Sequence, residues 1–408
     1  MNLRMVTRYL APPGTRSPCV VQFTVKSAIL GGALLATGGI LILTGVLPGP
    51  EALAVAQRVW PILLFVVAIT VVTELAAEAE LFRVVAERAA GWGLGRAWLL
   101  WLFVVLIAVV STVFLSLDTT AVLLTPVVVL LARHVGLPPL PFALTTVWLA
   151  NTASLLLPVS NLTNLLAQHE LGGISPVEFA ALLWTPAVVA ILVPVLVLLV
   201  VYRRPLFARY EPDAPAPASD RVLVVAAGVV IVLLLPALVS GVEVWIPALV
   251  AALVLLAFFA VRRREVLRFS LVPWQLVLLA SGLFLVVEAA HALGLPALLS
   301  ALAGHGEDPL SLLRLAGSAA AGANVVNNLP AYLAFEAIAD SPVRIAAVLI
   351  GVNAGCLVTP WASLATLLWH QRLTSLGVGL SWRTYVLLGV VVAPLTVGLA
   401  TLALVAAT

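Results

Sequence analysis

From residue 28 to its end the chain is a succession of apolar runs about twenty residues long, and such runs leave few folds open. Each is long enough, at 1.5 Å per residue, to cross a hydrocarbon core about 30 Å thick. Within that core backbone amides must be satisfied inside the protein, which helices do segment by segment. With 63% hydrophobic residues and only 10% charged, a soluble fold is excluded. The fold class read from this is an all-α polytopic membrane protein.

Full crossings are expected near 28–47, 59–77, 141–168, 177–201, 221–239, 244–261, 273–293, 343–370 and 382–406. Two apolar regions remain, 97–134 and 309–339, each split by a polar tip at Asp118 or Asn327. As one helix the first would be about 54 Å long, so it must fold back on itself. Both read as re-entrant helical hairpins, tolerated where protein or water surrounds the broken backbone.

Loop charge tests this topology. Arg4, Arg8, Arg16, Lys26, Arg83, Arg88, Arg96, Arg133, Arg203, Arg204, Arg209, Arg221, Arg262, Arg263, Arg264, Arg268, Arg372 and Arg383 fall on one face. Arg58 and Arg344, read as loop residues, and Arg314 in the second hairpin fall on the other, so the division is 18 against 3. The positive-inside rule then places the N-terminus in the cytoplasm and the C-terminus outside, in a multi-pass protein of the inner (plasma) membrane. The basic excess reflects topology, not nucleic-acid binding. Residues 1–25 read as a retained basic tail without a cleavage site, and Arg83–Arg96 as an amphipathic surface helix.

The chain repeats itself. NTASLLLPVSNLTNLL from Asn151 and NAGCLVTPWASLATLL from Asn353 align at one constant offset, matching Asn151 with Asn353, Leu155 with Leu357 and Pro158 with Pro360. Each follows a polar-tipped hairpin. The expected organisation is an inverted repeat, 26–201 with hairpin 97–134 and 221–408 with hairpin 309–339, joined by a cytoplasmic linker at 202–220. Paired Pro- and Asn-interrupted helices are a sequence pointer to a secondary transporter's substrate site.

Asp118 is the sharpest single residue. A mid-membrane carboxylate costs roughly 2.5–3.5 kcal/mol on insertion scales, so it reads as a proton or cation site, or else as a helix cap at the hairpin tip. Asn151, Ser154, Ser160, Asn161, Thr163 and Asn164 in the first broken helix, and Asn353, Thr359, Ser363 and Thr366 in the second, supply amides and hydroxyls. With Thr119, Asn327 and Asn328 at the hairpin tips, they suit a small neutral polyol-like solute; alternatively, they satisfy backbone freed at Pro158 and Pro360. Helix N-termini at the tips leave room for an oxyanion. Glu74 and Glu288 occupy matching helix ends. Glu288, one turn from His291, reads with Asp118 as a candidate for proton coupling, and Glu74 as an interfacial residue. Cys356 offers a single membrane thiol, a weak ligand set on its own and otherwise a small packing residue. The histidines His134, His169, His305 and His370 have no metal-ligand spacing. There is no nucleotide-binding loop and no clustered nucleophile, so neither an enzyme nor a cofactor is expected.

LDTTAVLLTP at 117–126, NTASLLLPVSNLTNLL at 151–166, VVNNLP at 325–330 and TPWASLATLLW at 359–369 resemble the signatures of the ArsB-type arsenite/antimonite efflux permeases. These belong to the ion-transporter superfamily, which includes divalent anion/sodium symporters. The resemblance implies scaffold and transport subdomains, two hairpins, two unwound helices, and As(III) or Sb(III) expelled against protons. The chain departs from many relatives in lacking a helix before its first and in reading Pro360-Trp361-Ala362 where a small pair is usual. The resulting expectation is proton-coupled export of As(OH)3. The alternatives are a cation/proton antiporter or a carrier of silicic acid or a carboxylate. The expected partners are the lipid bilayer, a small solute and protons; an ATPase partner and a homo-oligomer are both compatible with the sequence.

Overall fold

The computed structural model describes residues 18–211 and 218–408, with side chains from residue 28 onward. Most of the expected tail, residues 1–17 with Arg4, Arg8 and Arg16, lies outside the described residues. So do residues 212–217 of the linker and the side chains of Cys19 and Lys26. Among the described residues the chain is helical and pairs no strands beyond an isolated bridge between Arg96 and Arg209.

The first half contains α1 (Pro18–Leu43), α2 (Gly49–Glu78), α3 (Leu81–Trp92) and α4 (Ala97–Phe114). A wide-wound turn at Thr119–Leu124 then enters α5 (Thr125–His134), followed by α6 (Leu140–Thr152), α7 (Leu162–Glu170) and α8 (Pro176–Val201). The second half contains α9 (Arg221–Val239), α10 (Trp245–Arg262), α11 (Trp274–Ala292) and α12 (Leu295–Ala303). It continues with α13 (Pro309–Val325), α14 (Asn328–Glu336), α15 (Pro342–Leu349), α16 (Leu364–Ser375) and α17 (Trp382–Ala407). Among the described residues seven helices are long and apolar enough to cross a membrane: α2, α4, α8, α9, α10, α11 and α17.

Three details differ from the sequence reading. Helix α1 begins at Pro18, inside the expected tail. Helix α12, short and rich in alanine, occupies a stretch read as a loop. Arg58 and Arg344 are helical rather than loop residues. Conversely, α4 has the length and composition of a crossing, yet the chain reverses after it. Ser116 adopts φ 146°, and the Thr112 hydroxyl donates to the Thr120 hydroxyl at 2.8 Å across the turn. The arms of this first hairpin diverge from the tip, and both pack against α6.

Helices α1 and α11 form one pair and α2 and α10 another, so the first two helices of one half pack on helices of the other half. Glycine makes the first pairing close: a Cβ on Gly282 would sit 2.4 Å from the Leu35 backbone nitrogen, and one on Gly31 would sit 2.7 Å from that of Leu279. Small residues at such crossings let helices approach without a hydrophobic driving force between them. Ends are fixed by caps. Ser175 and Glu178 form a reciprocal capping box at α8. Asp220 caps α9 and accepts from Arg262 Nε at 2.8 Å; that guanidinium bond holds its carboxyl below the usual range.

Candidate functional site

Both aligned segments are breaks. The first lies between α6 and α7, where short tight turns at Ala153–Leu155 and Pro158–Ser160 replace α-helix. The second follows a wide-wound turn at Ile350–Ala354 and runs to the start of α16. Proline cannot donate a backbone hydrogen bond, and a broken helix frees several more donors and acceptors. In a membrane interior each needs a partner.

The first break is closed by its own side chains. Asn164 Nδ2 donates to the carbonyls of Ser154 and Leu157 at 2.7 and 3.0 Å. Ser160 Oγ donates to the same two carbonyls, at 2.5 Å for Leu157, and Ser154 Oγ donates to Asn151 O at 2.7 Å. Asn161 caps α7, accepting from Thr163 N at 3.4 Å. Asn353 reaches in from the other half: its Oδ1 accepts from Asn161 Nδ2 at 2.9 Å and Thr163 Oγ1 at 3.0 Å, and its Nδ2 donates to Asn164 Oδ1 at 2.8 Å. The structure thus brings Asn161, Thr163, Asn164 and Asn353 together, all buried. Asn151 and Cys356 adjoin them, with the thiol donating to Asn353 O at 3.1 Å and to Asn151 Oδ1 at 3.3 Å.

The second break is held by the second hairpin. Asn324, which the sequence reading did not single out, accepts from Val358 N and Thr359 N at 3.2 and 2.9 Å and donates to Gly355 O at 2.8 Å. Its own carbonyl accepts from Thr359 Oγ1 at 2.8 Å and Trp361 Nε1 at 2.9 Å. At the tip, Asn327 Nδ2 donates to Trp361 O at 2.8 Å, and Asn328 N donates to Ala362 O at 2.8 Å. The only signal for Asn324 in the sequence is an amide one helical turn before a polar tip. Ser363 begins α16 without capping it; its hydroxyl is fully buried and has no partner. Thr366 lies against the Tyr385 hydroxyl.

Asp118 sits elsewhere, at the tip of the first hairpin. It makes no cap hydrogen bond to the following turn, so the helix-cap reading is overturned; Ser116 Oγ instead accepts from Thr119 N at 3.3 Å. The Asp118 side chain lines a cavity of about 240 Å³ between this tip, α2, α11 and the start of α16. Thr119, Glu74, Gln275 and Leu364 share that wall. Glu74 is therefore a cavity residue rather than the interfacial group the sequence suggested. Among the described residues the cavity lining contains these two carboxylates and no Lys, Arg or His. Its floor at Ser270–Pro273 follows the loop carrying Arg262, Arg263, Arg264 and Arg268.

A helical membrane fold with paired broken helices, two tips and an internal cavity defines a multi-pass solute transporter. Comparison with known proteins narrows the class. The model of the citrate transporter family matches residues 23–349, and the chain belongs to that family. Over 394 residues it is 29% identical to the arsenical pump membrane protein of Escherichia coli (strain K12), covering 90% of this chain and 89% of the relative. It is also 29% identical over 388 residues to the protein of the same description from Yersinia enterocolitica, with 89% and 90% covered. The likeness to arsenite permeases read from the motifs thus extends over nine-tenths of the chain. Its fold matches the crystal structure of the Alcanivorax borkumensis YdaH transporter, with TM-score 0.57, 16% identity, and 94% of this chain and 97% of that one covered.

Proposed function

We propose that this chain exports trivalent arsenic and antimony in exchange for protons, taking As(OH)3 as its neutral substrate. The observation that carries the reading is the Asp118 carboxylate in the cavity wall, to which the described residues add no Lys, Arg or His. Two unit charges 4 Å apart interact by about 4 kcal/mol at an effective dielectric of 20. A citrate-like trianion beside Asp118 would meet repulsion of that order. A neutral trihydroxide meets none, and its hydroxyls can donate to the carboxylate and accept from Thr119. The arsenical pump relatives support the same substrate.

In this reading Asp118 exchanges protons with the substrate's entry and release, with Glu288 further along the pathway. Of the residues singled out for binding, Asp118, Thr119, Ser363 and Thr366 contact the solute. Asn151, Ser154, Ser160, Asn161, Asn164, Asn327, Asn328, Asn353 and Thr359 shape the breaks that present it. The two halves, 26–201 and 221–408, form inverted repeats separated by the linker 202–220. The N-terminus lies in the cytoplasm of a cell whose inner membrane holds the protein, and the C-terminus lies outside. The cavity then opens inward, where a toxic solute must be collected.

The same carboxylate favours one competing substrate, a monovalent cation exchanged for protons. Uptake into everted vesicles under a proton gradient separates the two. Accumulation of As(III) that Sb(III) blocks and citrate does not, reduced at least tenfold in Asp118→Asn, is the expected result. Gradient dissipation by sodium or potassium with no movement of As(III) would replace arsenite with the cation.

A further inference from the structure

Sixteen residues along α2 from Glu74, about 24 Å at 1.5 Å per residue, a second charged cluster lies at the other end of the same helix. Arg58 donates from Nη1 to Glu336 Oε1 at 3.0 Å and from Nη2 to Glu336 Oε2 at 2.9 Å. The same Nη2 lies 3.6 Å from Glu170 Oε2. The Glu336 side chain is 7% exposed. The Tyr332 hydroxyl lies beside Glu336. From α11, His291 faces the group beside the Leu333 backbone, with Glu288 Oε2 at 3.9 Å from its Nδ1.

These groups come from two sides. Arg58, Glu288 and His291 belong to α2 and α11, while Tyr332 and Glu336 belong to α14, the return arm of the second hairpin, and Glu170 ends α7. At their opposite ends the Asp118 cavity lies between these helices and the first hairpin, whose turn at Thr119–Leu124 touches α2. At this end they touch α14 and α7 directly. One pair of helices thus leaves a cavity beside one hairpin and is bonded through charged side chains to the other.

We infer that Arg58 is the residue that closes the transport pathway on the face away from the Asp118 cavity, by clamping α14 and α7 against α2. A two-pronged guanidinium–carboxylate bond is directional as well as charged, so a small separation of the helices breaks both contacts together. A neighbouring carboxylate at Glu170 gives the guanidinium an alternative partner as α14 withdraws. Moving a solute through must release Glu336 from Arg58 once in each cycle. This rests on the transporter reading above but not on the identity of the solute.

Accessibility tests it without any substrate. Leu333→Cys, buried in the closed seam, is treated in right-side-out and inside-out vesicles with a membrane-impermeant methanethiosulfonate, and labelling by the native chain is subtracted. With Arg58→Gln or Glu336→Gln added, labelling of the thiol introduced by Leu333→Cys should accelerate at least tenfold, from one side of the membrane only. Labelling at Leu271→Cys, on the opposite cavity, should fall. The exchanged pair Arg58→Glu/Glu336→Arg should restore slow labelling of the seam thiol. Should a single substitution fail to assemble, the neutral pair Arg58→Gln/Glu336→Gln carries the same expectation of fast labelling. An unchanged seam-thiol rate in an assembled variant overturns the assignment, whatever solute the protein carries. Absence of As(III) transport by the native chain, beside the predicted labelling pattern in the variants, would instead discard the arsenite reading alone.

Discussion

The two breaks begin from matching sequences and reach opposite solutions. The first satisfies its freed backbone with Ser154, Ser160, Asn161 and Asn164, all within or next to the break, and takes side-chain bonds from Asn353 and Cys356 of the other half. The second supplies little for itself and is held by Asn324, Asn327 and Asn328 of the second hairpin. Consequently, although α4 packs on the first break, no hydrogen bond among the described residues ties the first hairpin's tip to it, and that tip faces a cavity. The second hairpin and second break are bonded into one body. The lesson is that a repeat can preserve a helix interruption while reassigning which element holds it.

That contrast can be broken experimentally. The largest effect is expected for Asn353→Ala, which strands buried partners on Asn161, Thr163 and Asn164. At about 1–3 kcal/mol for each buried group left unpaired, and allowing for partial rearrangement, a loss of about 3–5 kcal/mol should appear as a lower unfolding midpoint in detergent. Asn324→Ala should cost less, about 2–3 kcal/mol, because its site is only partly buried. The two variants also differ in location. Amide hydrogen exchange should rise at 153–161 in Asn353→Ala and at 355–363 in Asn324→Ala; a rise at both breaks in either variant would mean they are held as one. The smallest effect is expected for Cys356→Ala. Its thiol makes only weak bonds to Asn353 O and Asn151 Oδ1, so about 1 kcal/mol or less of stability is lost and transport persists. A tenfold loss of As(III) transport with intact stability would put the thiol on the substrate.

Helices, breaks and tips were legible because each rests on local sequence. Apolar length gives the spans, and Pro158, Pro360, Asp118 and Asn327 mark where regular structure must yield. What stayed hidden depends on partners far along the chain. Arg58 reads as a lone charge near the start of an apolar run, and its partner Glu336 lies 278 residues away. Asn324 reads as one of several amides before a turn, although it carries most of the bonds to the second break. The polar residues of the two aligned segments look interchangeable in sequence. Only the fold separates those whose hydrogen bonds are spent, such as Asn164, from Asp118, which makes no cap bond, and Ser363, whose hydroxyl has no partner among the described residues. Helix α12 escaped notice because nine residues rich in alanine carry too little pattern.

The crossed pairing of α1 with α11 also bears on how the protein is made. Helix α1 leaves the ribosome well before its glycine-faced partner, which emerges about 230 residues later. At roughly 5–20 residues per second, α1 waits about ten to fifty seconds in the bilayer with Gly31 facing lipid before Leu279 arrives to cover it. Neither half can finish folding until the other has been synthesised, so assembly is decided late in translation.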